Sequence, residues 1–328
     1  MTPARRVGPA PALPQAPPLP VPPRPVVPPR VAGPDPAPWQ RITVDVPGPE
    51  FEARPPGQDA FDFPDSECEG WSTDRLTLRF ASVRGARHRY YRQPRQDAAR
   101  AAVHEATGSI AFAVADGVSS AAESHLGAVE ACRAAVERLL HLLDRGPGRL
   151  DGADVAAHAA KRLHELARCR LGVPALRTAE VARLYATTLV AGTVRATGDA
   201  LEAELFRIGD SGAWLLDRSG GGYHPLFGGR AAADAPLVDN EVSPLPLVPD
   251  RPETAVGRLT EPWTLLVGTD GFGDPLGAGD GRVGELFARQ LATPPPPLWL
   301  GQVLDFTRET FDDDRTLLAV WPRTGGHR

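Results

Sequence analysis

The sequence predicts an α+β fold in which sheets are covered by helix pairs, and three observations predict it. Apolar residues alternate with others at Leu76, Leu78 and Phe80, and again at Ile110, Phe112 and Val114, the period of half-buried strands. Leu126, Val129, Cys132, Val136, Leu139 and Leu143 recur at spacings of three and four, which is one face of a helix. Strand patterns then return in a group, followed by two helical segments and a last strand, so helices are clustered rather than alternating with single strands.

Taken in order, the chain opens on a segment that cannot build a core. Fifteen of the 36 prolines fall in residues 1–38, where spaced apolar positions are almost absent. Too little apolar surface is available there to offset chain ordering, so residues 1–58 are expected to be a disordered proline-rich tail. Residues 59–74 carry Asp59, Asp62, Asp65, Glu67 and Glu69 and read as an acidic linker. The folded domain is expected over 75–323, with 324–328 disordered.

Within it, strands are expected at 76–81 and 110–115. Ser124 reads as the cap of the helix that carries Leu126 to Leu143, and Gly146-Pro147-Gly148 stops it. Asp151 to about Arg170 forms a second helix, with Val155, Ala159, Leu163 and Leu166 on one side. Strands follow at 187–195, 202–208 and 212–217, with Gly198-Asp199 and Gly209-Asp210 as turns. Residues 219–257, rich in glycine and proline, read as a long functional loop. A strand at 263–268, helices at 283–291 and 299–311, and a strand at 316–321 complete the chain.

Composition excludes several functions. A net charge of −5 leaves no general basic face for nucleic acid. No apolar run approaches the roughly 20 residues that span a bilayer. The three cysteines, Cys68, Cys132 and Cys169, are scattered and fit a reducing compartment, so a cytoplasmic location without membrane contact is expected.

The chemistry-bearing pattern is a set of aspartates at strand ends. Asp116 follows one strand and precedes Gly117; Asp270 follows another and precedes Gly271; Asp210 sits between two strands, and Asp313 just ahead of the last. Carboxylates at strand ends can converge, and hard divalent cations prefer such oxygen clusters. Taken singly, an Asp-Gly pair is an ordinary turn. The set, in its order, says more.

That order resembles the PP2C-type (PPM) metal-dependent protein serine/threonine phosphatases, in their bacterial form. Arg92 with Gln96-Asp97-Ala98 is similar to the family's Arg-x-x-x-Glu-Asp, and His88 fits a bacterial Gly-x-x-His that precedes it. Val114-Ala115-Asp116-Gly117, Thr187-Thr188, Ile208-Gly209-Asp210-Ser211, Thr269-Asp270-Gly271 with Asp274, and Asp313-Asp314-Arg315-Thr316 follow in family order. The sequence departs from the pattern at Gln96, at Ser119-Ser120 in place of two glycines, at Ala186, and at Asp314 in place of asparagine. Val118 stands where eukaryotic members carry a general-acid histidine.

The resemblance implies a two-sheet antiparallel β-sandwich flanked by helix pairs. It implies two Mn2+ or Mg2+ ions, with a third, weaker site. Asp116 would bridge two ions with the Gly117 carbonyl on one, Asp270 and Asp313 would hold the other, and Asp210 and Asp274 the third. Gln96 and Asp97 would stand behind the ligands, and Arg92 would bind phosphate bidentately. Paired cations of this kind lower the pKa of a shared water and stabilise phosphoryl charge. Substrates would be phosphoproteins made by a serine/threonine kinase. The proline-rich tail reads as a tether, with docking to a protein partner as the alternative. A catalytically silent partner-binding module is the rival from another class. Gly209-Asp210-Ser211-Gly212 also matches the nucleophile motif of trypsin-like proteases, but lacks the following context.

Overall fold

In the computed structural model, the described residues are 41–48, 53–55, 64–146, 149–198, 200–228 and 243–323. The proline-rich segment through residue 40, the middle of the long loop (229–242), the stop at Pro147-Gly148, Asp199 and residues 324–328 lie outside them. What is described is α+β, with two antiparallel sheets and helices on their outer faces.

The elements run in this order. β1 (Ser66–Ser72), β2 (Leu76–Val83), α1 (Ala86–Tyr91), β3 (Ala98–His104) and β4 (Ser109–Ala115) come first. The long helices α2 (Ser124–Asp144) and α3 (Gly152–Leu171) and the shorter α4 (Thr178–Tyr185) follow. Next come β5 (Leu189–Thr197), β6 (Ala200–Ile208), β7 (Gly212–Asp217), β8 (Tyr223–Pro225), β9 (Glu253–Leu259) and β10 (Trp263–Gly268). The chain closes with α5 (Asp270–Leu276), α6 (Arg282–Gln290), α7 (Pro297–Leu304) and β11 (Arg315–Pro322). One sheet has the order β1-β2-β11-β10-β7-β8 and the other β3-β4-β5-β6-β9.

Side-chain alternation sorts three cores. On β4, Ile110, Phe112 and Val114 face the space between the sheets, while Ala111, Ala113 and Ala115 face α2 and α3. On β11, Leu318 and Val320 join the inter-sheet core, and Leu317, Ala319 and Trp321 pack under α5, α6 and α7. The result is four layers, helix–sheet–sheet–helix. Among the described residues no helix is long and apolar enough to cross a membrane.

Several elements depart from the expected ones. β1 occupies the stretch read as an acidic linker; it is an edge strand, paired with β2 from Ser66↔Val83 to Ser72↔Thr77, and an edge needs few apolar residues. β3, an alanine-rich strand, carries no alternation to read. Ser124 is the first residue of α2 rather than its cap. β5 begins at Leu189, because Thr187 leaves the ladder to bridge Gly117 and Leu245. β8 and the start of β9 fall within the expected long loop.

The last expected helix ends at Leu304, because the chain beyond it is drawn into pairing with residues ahead of β1. Thr307 N–H donates to Ile42 at 2.8 Å, Val44 N–H to Thr307 at 3.0 Å, and Glu309 N–H to Val46 at 2.8 Å. Val44 is 6% exposed and belongs to the α5–α7 core. Residues 41–48 are therefore part of the fold, although the sequence reads them as tail. Val44→Ala removes buried methyl groups from this core and should cost about 2 kcal/mol. Thermal melting should register a drop of several degrees, and an unchanged Tm would remove the segment from the core.

Candidate metal centre

Strand ends bring the site together. Asp116 directly follows β4, and its backbone is anchored tightly. Its N–H donates to Thr188 Oγ1 at 2.9 Å, and its carbonyl accepts from Thr187 Oγ1 and Thr188 N, both at 2.8 Å. Gly117 N–H donates to the Gln96 carbonyl at 3.2 Å. A Cβ on Gly117 would sit 2.8 Å from Ser124, so a side chain here would push α2 away from the site.

Asp270 opens α5 at the end of β10, one residue after Thr269. Thr269 Oγ1 and Thr316 Oγ1 both donate to Asp97 Oδ2 at 2.8 Å, and Thr316 Oγ1 lies 2.6 Å from Ser82 Oγ. These hydroxyls hold Asp97, 2% exposed, beneath the metal-candidate carboxylates. Asp116 and Asp270 are half-buried above it, and Asp210, Asp274 and Asp313 are exposed around the rim. A cleft of about 180 Å³ lined by Arg207, Asp210, Trp214, Phe227, Asp270 and Asp274 adjoins the cluster.

The electrostatics reflect this crowding. Burial, then the charges of Asp97, Asp270 and Asp313, pushes the Asp116 carboxyl well above the usual carboxylate range. Asp270 is pushed up to about 6 by burial, an effect opposed by the hydrogen bond it accepts from Asp116 and reinforced by Asp313 and Asp210. Asp97 is raised by burial and the Asp314 charge, against the two threonine hydrogen bonds. Burial and Asp210 raise Asp274. Among the described residues, neither arginine nor lysine forms an ion pair with Asp97, Asp116, Asp210, Asp270, Asp274 or Asp313.

Among the expected site residues, Asp116, Asp270, Asp313 and Asp97 act on one another through charge, and Asp210 acts on Asp270 and Asp274. Gln96 contributes its backbone: the carbonyl to Gly117, the N–H to Asp314. Arg92 is exposed at the end of α1, at φ 61°, and pairs with none of these carboxylates. Ser211 is fully buried and shares a hydrogen bond with Thr188 Oγ1 at 2.9 Å, so it is closed to the role of a protease nucleophile. Sequence reasoning missed Thr269, Ser82 and Ser211 as partners that hold the site. The position of Thr269 beside Asp270 was the available signal.

The donor set fits divalent cations. It consists of carboxylate oxygens, hard ligands that Mg2+ and Mn2+ favour, gathered with mutual repulsion that no described arginine or lysine relieves. The chain belongs to the protein phosphatase 2C family, whose model matches residues 84–304. No curated protein matches it significantly. Similar solved structures include RsbX in complex with magnesium, at 11% identity over 78% of this chain and 100% of that one, TM-score 0.48. The catalytic domain of the serine/threonine phosphatase PstP in complex with two manganese ions is 19% identical over 76% and 99%, TM-score 0.48. The phosphatase MsPP from Mycobacterium smegmatis in complex with cacodylate is 17% identical over 74% and 97%, TM-score 0.46.

The raised carboxyls set a pH dependence for the metal-free protein. A carboxyl whose folded pKa exceeds its unfolded value stabilises the fold below the unfolded pKa, and that contribution is lost as pH rises through the folded one. With Asp270 near 6 and Asp116 also raised, the loss falls between about pH 4 and above pH 6. Metal-free Asp116→Asn, which removes one repelling charge, should melt close to wild type at pH 5 and above it at pH 7. Equal melting curves at both pH values would contradict this electrostatic account.

Proposed function

We propose that this chain hydrolyses phosphoserine and phosphothreonine esters in proteins at a centre of two divalent cations. The observation that carries the reading is the convergence of Asp116, Asp270 and Asp313 at strand ends, in the family's motif order, unpaired with arginine, with the carboxyls of Asp116 and Asp270 raised by burial and by neighbouring charge. Asp116 would bridge the ions, the Gly117 carbonyl would complete one and Asp270 with Asp313 the other. Asp210 and Asp274, beside the adjoining cleft, would hold a third, weaker ion. Bound there, Mn2+ or Mg2+ would make a shared water acidic enough to attack at neutral pH and would offset phosphoryl charge.

The protein's own groups supply the rest. Asp97, gripped by Thr269 and Thr316, fixes the floor on which Asp116 and Asp270 stand. Arg92 is exposed and unpaired with the carboxylates, so its guanidinium is available to a phosphate that enters above them; a planar fork suits two phosphoryl oxygens. Val118 has no proton to give, so the leaving serine or threonine oxygen would take its proton from solvent in the site.

Asp116→Asn keeps the side-chain shape but removes the charge that offsets two dications. Manganese-dependent hydrolysis of p-nitrophenyl phosphate and of a phosphothreonine peptide should fall by about two orders of magnitude or more. Wild-type turnover in that variant would overturn the assignment. A wild-type chain that binds Mn2+ and hydrolyses neither substrate would instead support the silent partner-binding module. Arg92→Ala should raise KM for both substrates several-fold without changing Mn2+ affinity, and unchanged kinetics would remove Arg92 from the site.

A further inference from the structure

Asp314 departs from the asparagine that the family pattern carries, and the structure buries the extra charge, leaving it 2% exposed. Its carboxylate joins three parts of the chain. Oδ1 accepts from Gly85 N–H at 2.6 Å, and Oδ2 from Gln96 N–H at 2.5 Å. His88 Nδ1 lies 2.9 Å from Oδ1, and the ring is 5% exposed. Two backbone donors leave most of a buried carboxylate charge uncompensated, and an unmatched buried charge is costly. His88 is the side chain that meets it.

The same histidine stands beside the proposed ligand. Its Nδ1 is 3.8 Å from Asp313 Oδ1, the oxygen that also accepts from Asp314 N–H at 2.8 Å. The turn is held on both sides where side chains are missing. A Cβ on Gly85 would lie 2.3 Å from the Asp312 carbonyl oxygen, and one on Gly271 only 1.8 Å from that of Asp314. The direction of Asp313 is therefore set by contacts that all pass through residues 312–314. Asp314 has both oxygens committed, so the His88, Asp313 and Asp314 group, whose ligand atoms lie within 4.8 Å of one another, is better occupied by its own contacts than by another ion.

We propose that His88 and Asp314 act as one positioning unit, locking α1, the Gln96–Asp97 segment and the Asp313 turn into the arrangement that binds metal. The proposal rests on Asp313 as a metal ligand, and the two ideas fail differently. With His88 removed, the buried Asp314 charge faces Asp97 without its counter-group, and the turn relaxes to relieve the repulsion. The aspartate at 314 is then a departure tolerated because His88, which fits the bacterial pattern, meets its buried charge.

Isothermal titration of the full-length chain with Mn2+ tests this, alongside melting without metal. His88→Gln and Asp314→Asn should each weaken Mn2+ binding by about tenfold or more, the range for residues that orient metal ligands, with the number of bound ions unchanged. The double variant should bind no more weakly than the worse single one. Additive losses, or single variants with wild-type affinity and only a lower metal-free Tm, would overturn the positioning role. Loss of one bound ion in His88→Gln would overturn it too, by making His88 a ligand. Should that variant fail to fold, Asp314→Asn decides alone, and unchanged affinity there sinks the idea. A wild-type chain that binds no Mn2+ would overturn both this inference and the dimetal reading beneath it.

Discussion

The rest of the structure is arranged around carboxylates that repel one another and are denied an arginine. The chain has 36 positive residues, all arginine except Lys161, and they neutralise acids elsewhere on the surface. Arg138 grips Asp154 through two contacts of 2.7 Å, and Arg89 joins Asp65 to Asp305. At the cluster, apart from His88 beside Asp313, the partners are hydroxyls and backbone N–H groups, which satisfy hydrogen bonding while leaving most of the charge in place. The surrounding fold supplies the stability that this repulsion removes, in keeping with a site shaped for a ligand rather than for folding.

The layers make that arrangement possible. Each sheet is buried on both faces, so β4, β10 and β11 are rigid up to their last residue, and the aspartates that follow begin from fixed positions. Threonines at the strand ends then connect the sheets. Thr188 ties the end of β4 to Ser211 ahead of β7, and Thr269 and Thr316 tie the ends of β10 and β11 to Asp97 ahead of β3. Cross-links of this kind fix the spacing of charges that would otherwise move apart.

β2 and β4 were readable from sequence because their large apolar residues alternate, a half-buried pattern, although on β4 the small residues between them are buried too, under α2 and α3. β1 was not, since an edge strand of Ser-Glu-Cys-Glu-Gly-Trp-Ser owes its shape to pairing with β2. α5 was not either. Its Asp-Gly-Phe-Gly-Asp-Pro-Leu sequence has poor helix propensity, and it forms where Phe272 meets Trp214 and Phe287 edge-on at 5.7 and 5.0 Å. The aspartates could be read because their neighbours follow a known order. Their hydroxyl partners could not, because Thr269 meets Asp97 across 172 residues of chain and Thr316 meets Ser82 across 234.

Much of the contact between α2 and its sheet is built from methyl groups. Ala98, Ala111, Ala113 and Ala115 on the strands face Ala128, Ala131 and Ala135 on the helix, all fully buried. Alanine has no rotamers to freeze, so this layer assembles without side-chain entropy loss. It also has almost nothing to give up. Truncation, the usual way to damage a core, has little to remove here, and the vulnerable direction is growth, since each added carbon must lift a helix of 21 residues off its sheet. Because α2 begins against Gly117, bulk introduced far along the seam would be felt as a tilt at the floor of the cluster.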